Sequence, residues 1–318
     1  MNKYILYAFI MVVSLFAVSA NAAPMAYSVN SDGINDDNLY LIDLATGVDQ
    51  YRGKLFTGIE NEYRTDTEGL AFSPGPNSRL WGIDDASGTL FPINPNTGSV
   101  NYNEEIQLPL DFQSGGGNDF GMTFACDNSL FFTSVRTQSL YRREPTTGSI
   151  TNVGSLGVNI SAIAAFGNPT LLYGLGNSQF LNGDTDSPNL YSIDTTTGHA
   201  SLIGPLGSPG EFEYNQAGMS FDSAGGLWAI TDRSQIGNQK SQILSINVET
   251  GDATLIATTL NEVGYESLAI SPPVNCIAAP VDGADDLPAI PSLSLPGKLS
   301  AILVLMLAGM LILRRRYS

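Results

Sequence analysis

Leu80-Trp81-Gly82-Ile83-Asp84, followed by Leu90-Phe91-Pro92-Ile93-Asn94-Pro95-Asn96-Thr97-Gly98, is one copy of a unit that recurs along the chain. Its Thr-Gly step appears five times, at Thr46-Gly47, Thr97-Gly98, Thr147-Gly148, Thr197-Gly198 and Thr250-Gly251. The successive spacings of 50 to 53 residues mark one supersecondary unit repeated. Each copy opens on a small and apolar run, such as Gly69-Leu70-Ala71-Phe72, Gly121-Met122-Thr123-Phe124 or Gly218-Met219-Ser220-Phe221. An aromatic run follows, such as Leu130-Phe131-Phe132 or Leu172-Tyr173. An alternating run then ends on the Thr-Gly turn, and a last run such as Ile150–Val153 or Ala253–Ile256 completes the copy. Four short strands joined by Gly, Asn, Asp and Pro turns predict one blade of a β-propeller.

Working outward, Met25-Ala26-Tyr27-Ser28-Val29 reads as the second strand of a blade whose first strand is missing. At the other end, Glu266-Ser267-Leu268-Ala269-Ile270-Ser271 reads as a first strand with no second. Pairing the two closes the ring and leaves no free sheet edge at the seam. The expectation is an all-β, five-bladed β-propeller over residues 23–276, with an open sandwich or solenoid as the competing reading.

The ends carry different signals. Lys3, the apolar run Tyr4–Val18 and Ala20-Asn21-Ala22 predict a secretory signal peptide over residues 1–22, cleaved after Ala22; an N-terminal membrane anchor is the alternative. Residues 277–289, rich in Ala, Pro, Gly and Asp, read as a linker. Then come Ile290, Pro291, Leu293, Ser294 and Gly297, the apolar run 299–313 and Arg314-Arg315-Arg316. This tail, residues 290–318, resembles the bacterial C-terminal sorting signals of the IPTL-CTERM and PEP-CTERM type. Ser292 stands where those signals carry Thr, and Pro296 where they carry Trp. The resemblance implies an exosortase-like partner, Sec export, a transient transmembrane segment at 299–313 and delivery to the cell surface. A permanent anchor is the plain alternative.

Composition excludes some classes. Setting aside Lys3, Lys298 and the three terminal arginines leaves nine basic residues against 31 acidic ones, a balance of −22. Nucleic acid needs a basic stripe, so it is not expected as a partner. Anionic lipid is disfavoured for the same reason. Cys126 and Cys276 are the only cysteines; outside the cytoplasm they read either as a disulfide or as two thiols. His199 is the single histidine and follows the Thr197-Gly198 turn, so a catalytic triad has little to be built from.

Chemistry is expected on the face with long loops, including Thr57–Glu68, Leu108–Asp119 and Ser208–Gln216. Just ahead of the innermost strands stand Glu68, Asp119 and Glu266, with Gln216 at the equivalent place. Carboxylates converging on the axis would suit a hard cation such as Ca²⁺. Hydrated residues capping strand ends are the bland alternative. Glu68-Gly69-Leu70-Ala71-Phe72 is similar to strand starts in calcium-dependent lactonase-type propellers. Asp32, Asp36, Asp37, Asp184 and Asp186 form two further acidic loops, and Tyr63, Phe112, Phe212 and Tyr214 are aromatics for stacking on sugars. Two functions are expected from this: a surface-sorted binding or structural module for polysaccharide, matrix or a surface protein, and a cation-dependent, lactonase-like hydrolase with its site at the channel mouth. The unit Leu190–Gly198 resembles the Leu-Tyr-x-Ile-Asp-x-x-Thr-Gly repeat of bacterial exported propellers, a class with no uniform activity.

Overall fold

The computed structural model describes residues 23–30, 37–59, 62–112, 117–176, 188–271 and 276. These all belong to the first of two compact units, residues 1–278. The signal peptide with Ala22, the linker 277–289, the motif residues 290–297, the span 299–313, and Asp32, Asp36, Asp184 and Asp186 lie outside the described residues. Among the described residues, no helix is long and apolar enough to cross a membrane.

Five antiparallel four-stranded sheets make the five blades of a propeller. Blade 1 holds β1 (Met25–Asn30), β2 (Asn38–Asp43) and β3 (Asp49–Lys54). Blade 2 holds β4 (Thr67–Phe72), β5 (Leu80–Asp84), β6 (Thr89–Ile93) and β7 (Ile106–Gln107). Blade 3 holds β8 (Gly121–Phe124), β9 (Leu130–Ser134), β10 (Ser139–Arg143) and β11 (Ile150–Ser155). Blade 4 runs through β12 (Ile160–Phe166), β13 (Leu171–Gly176), β14 (Asn189–Ile193) and β15 (Ala200–Pro205). Blade 5 runs through β16 (Ala217–Phe221), β17 (Leu227–Thr231), β18 (Gln242–Ile246) and β19 (Ala253–Thr258). The ring closes as the pattern predicts. β20 (Ala269–Ser271) pairs with β1 in the register Met25↔Ser271, Ala26↔Ile270 and Tyr27↔Ala269, completing blade 1 from the far end of the chain.

Burial follows position in the blade. The innermost strands β4 and β12 are buried almost throughout, whereas β19, on the rim, is mostly exposed. Apolar side chains collect in five clusters, one at each joint between blades. Second-strand aromatics reach across: Tyr27 meets Phe72, Trp81 meets Phe124, and Tyr173 meets Phe221, at centroid distances of 5.8, 6.4 and 5.7 Å. Such edge and tilted ring pairs add to the burial they accompany.

The Thr-Gly step has a second role beyond its own turn. At four joints it docks on the rim strand of the neighbouring blade. Val100 N donates to Phe56 O (2.8 Å), Ala200 N to Leu156 O (3.1 Å), Ala253 N to Leu206 O (2.7 Å) and Leu260 N to Gly47 O (3.1 Å). The backbones approach so closely that a Cβ at Gly154 would lie 2.0 Å from Thr197 O, and one at Gly204 would lie 2.2 Å from Thr250 O. Among the described residues, the joint between blades 2 and 3 differs. Blade 2 ends in the two-residue β7, and a Cβ at Gly148 would meet only the Arg143 side chain. At this joint Phe112 packs against Phe120, Phe132 and Tyr141.

The sulfurs of Cys126 and Cys276 are bonded, with Cα atoms 5.1 Å apart. Cys126 lies in the β8–β9 turn and Cys276 five residues beyond β20, so the bridge ties the closing strand to blade 3.

Candidate functional site

The innermost strands start at one end of the axis, and their approach to it is dictated by small side chains. A Cβ at Gly121 would lie 2.9 Å from Ala162 Cα, and one at Gly218 would lie 2.2 Å from the Ser267 carbonyl carbon. Below this level Leu70, Met122, Met219 and Leu268 fill the axis. What remains at the top is a mouth lined by carboxylates.

Glu68 enters it through a bulge. Thr67 pairs with Asp84 and Gly69 with Ile83, so Glu68 is an extra residue in β4, and it reaches toward blade 3. Glu68 is 5% exposed, and its Oε2 accepts from the Phe120 N–H of blade 3. Asp85, 2% exposed, follows β5 and accepts from Asn118 N (2.9 Å) and from Asn118 Nδ2. Asp66 is half-buried, and its N–H donates to Asp84 Oδ2 at 3.2 Å. One carboxylate oxygen from each of Asp66, Glu68 and Asp85 lies within 4.8 Å of the others.

Around this trio stand more carboxylates. Asp119, at a left-handed φ of 41°, accepts from Gln216 Nε2 at 2.9 Å. Asp37 Oδ2 accepts from Thr67 N at 2.7 Å. Asp232 accepts from Ser234 N (2.7 Å) and Ser234 Oγ (3.0 Å). Glu266 is 9% exposed. Burial, then the charges of Asp119, Glu266, Asp85 and Asp66, push Glu68 well above the usual carboxylate range. Burial, then Asp232, Asp66, Asp37 and Asp119, do the same to Glu266. Burial, then Asp85, Asp84 and Asp119, push Asp66 up to about 6. Burial also raises Asp232. The leading charges acting on Glu68 and Glu266 are all carboxylates. Arg64, whose carbonyl accepts from Asp37 N, sends its guanidinium to Glu105 instead.

The three metal-ligand candidates named from the pattern, Glu68, Asp119 and Glu266, thus share one acidic mouth. Among the described residues, the oxygens that lie within 4.8 Å of one another are those of Asp66, Glu68 and Asp85. Asp85 was not singled out because its place depends on contact with Asn118 of the next blade. The adjacent acids Asp84-Asp85, at the end of a second strand, were the available signal. The sugar-stacking aromatics are corrected: Phe112, Phe212 and Tyr214 are 1%, 4% and 1% exposed, built into the joints between blades. Tyr214 donates to Gly176 O at 2.7 Å, and Tyr63 stacks on Phe56 with Lys54 over its ring. His199 sits beside Thr197 on the opposite face, away from the mouth.

No family model matches the sequence, and no curated protein matches it. Among solved structures the chain is similar to the selenomethionine-substituted virginiamycin B lyase of Staphylococcus aureus, at 15% identity over 74% of this chain and 71% of that one, with a TM-score of 0.40. It is similar to a streptogramin B lyase at 14% identity, 74% and 70% coverage and a TM-score of 0.41. It is similar to a chain of a nidogen/laminin complex at 14% identity, 62% and 64% coverage and a TM-score of 0.39. These likenesses carry no argument here; the five-bladed assignment rests on the strand pairings.

Proposed function

We propose that this propeller is a binding module of an exported, surface-sorted protein, and that its ligand seat is the acidic mouth. The observation that carries this reading is the convergence there of Asp37, Asp66, Glu68, Asp84, Asp85, Asp119, Asp232 and Glu266, most of them buried. With the axis filled just beneath, the mouth is a shallow seat of negative potential and selects a partner presenting positive charge. A basic surface of a matrix or cell-surface protein fits better than polysaccharide, since the loop aromatics are spent on packing. Export is supported by Lys3 with Ala20-Asn21-Ala22 and by a disulfide of the kind oxidising compartments sustain. The tail from Ile290 onward would be read by an exosortase-like enzyme, as in the sorting signals it resembles.

The test is binding of the full chain to basic proteins and to a glycan array at low and high salt. Salt-weakened binding to basic partners, lost in Glu266→Gln and Asp232→Asn, is expected. Turnover of lactones or phosphoesters, lost in Glu68→Gln, would replace the module with the cation-dependent hydrolase.

A further inference from the structure

We propose that β19, the rim strand of blade 5, is a self-association edge that pairs antiparallel with β19 of a second copy of this chain. Among the described residues it ends its sheet and pairs with β18 alone. It reads Ala253-Thr254-Leu255-Ile256-Ala257-Thr258, and Leu255 and Ile256 are 46% and 39% exposed. A bare edge of this kind recruits another strand unless charge, proline or shortness blunts it. The other rim strands are blunted or weakened. β3 carries Asp49, Arg52 and Lys54, and β7 has two residues. β11 carries Gly154, and β15 ends on Gly204-Pro205. The register shift of β19 is shared by β3, β11 and β15, so it is not what sets this strand apart.

Charge argues for a second copy as the occupant. The chain carries a net charge of −17, so two copies repel over most of their surface and can meet along a strip without charge. The flanks of β19 are also complementary to themselves. Beyond its mouth end lies Lys240, whose Nζ donates to Asn261 O at 2.7 Å. The acids nearby turn inward, Asp49 to Tyr265 and Glu262 to Tyr40. At the other end Glu249 and Asp252 are exposed on the Thr-Gly turn. Antiparallel pairing about a two-fold axis sets each Lys240 toward the other copy's Glu249 and Asp252, twice over. An interface of one patch with itself needs this self-complementarity.

The strand is held ready for a partner. Ala253 N is bonded to blade 4 and Leu260 N to blade 1, so both ends are fixed while the exposed stretch Thr254–Ile256 lies between them. β19 runs from the Thr-Gly turn toward the mouth, so an antiparallel pair points its two mouths in opposite directions. That the pair then bridges two partners rests on the reading of the mouth as a ligand seat. Self-association does not, and it is measured with no ligand present.

The experiment follows the full-length chain by sedimentation velocity in a mild non-ionic detergent over a range of concentrations. One pair of six-residue strands is small beside the roughly 1,200–2,000 Å² of stable interfaces, so a dimer that dissociates on dilution is expected. A chain that stays monomeric up to millimolar concentration overturns the proposal. Leu255→Lys and Ile256→Lys should each weaken the dimer about tenfold or more, with Tm kept because both side chains are exposed. Tyr102→Lys, which alters an equally exposed ring on blade 2, should leave it unchanged. Association that persists in Leu255→Lys and Ile256→Lys, as it would if the apolar run 299–313 carried it, overturns the proposal. Lys240→Glu should weaken the dimer several-fold, and adding Asp252→Lys should restore it; no recovery overturns the antiparallel arrangement. Amide exchange at Thr254–Ala257 should slow as concentration rises. Dimerisation with exchange unaltered there would place the interface elsewhere and overturn it.

Discussion

At the scale of single residues, one carboxylate gathers several bonds across the seam between blades 5 and 1. Asp49, 6% exposed, accepts from Asn261 N and Nδ2, from Glu262 N (3.0 Å) and from Tyr265 Oη (2.9 Å). Charge-assisted bonds of this kind are the strong ones. Asp49→Asn replaces one accepting oxygen with an amide donor facing the buried Tyr265 hydroxyl and its neighbours and should cost about 1–3 kcal/mol in urea unfolding, with Tyr265→Phe costing about 1 kcal/mol. The two should not add, because they share one acceptor. Glycines give a second test. Gly154→Ala drives a Cβ into Thr197 O and should cost about 3 kcal/mol. Gly148→Ala, at φ 70° against a movable Arg143, should cost only the left-handed penalty of about 1 kcal/mol. Equal losses in urea unfolding would show that the rim clasps carry no weight. That each Thr-Gly step forms a tight turn was legible in the sequence. That four of them also grip a neighbour was not, since the partner group belongs to another blade and, for Gly47 and Leu260, to the other end of the ring.

At the scale of elements, β20 is three residues long and pairs with β1 only from Met25 to Tyr27. Its place was legible, because a lone first strand at one end matches a lone second strand at the other. Its tether was left open between a bridge and two thiols: Cys126 and Cys276 are 150 residues apart, and only the folded ring brings them together. Closing a loop of that size constrains the unfolded chain by about 5 kcal/mol on the chain-entropy model. Replacing both cysteines with serine should therefore lower the urea midpoint strongly, and exchange should rise first at the pairing of β20 with β1. The candidate site was half legible. Glu68 stands where a strand meets the axis, which the repeat predicts. Asp85 depends on Asn118 of the next blade, and Asp66 is placed by the bond from its N–H to Asp84, neither of which periodicity announces. The loop aromatics misled because long loops such as Leu108–Asp119 tuck their rings beneath the mouth, filling the space that the short β7 leaves.

At the scale of the whole molecule, acidity concentrates at one end. Asp66 is raised to about 6, so the folded chain holds that proton more tightly than the unfolded chain does. Its contribution to stability is complete below about pH 4 and is lost as pH rises through about 6. Glu68, Glu266 and Asp232 are shifted in the same direction. Tm should therefore fall between pH 4 and 7; a Tm that rises with pH over that range would contradict the crowding of the mouth. Salt should likewise stabilise the chain, which carries a net charge of −17.

The Cys126–Cys276 bridge also decides how the molecule bears load. β20 runs away from the mouth, so the described chain ends at Cys276 on the opposite face, bonded to the β8–β9 turn. Tension applied there enters blade 3 through a covalent bond instead of unzipping three residue pairs of β20 from β1. A mooring line made fast in this way can be hauled without opening the ring.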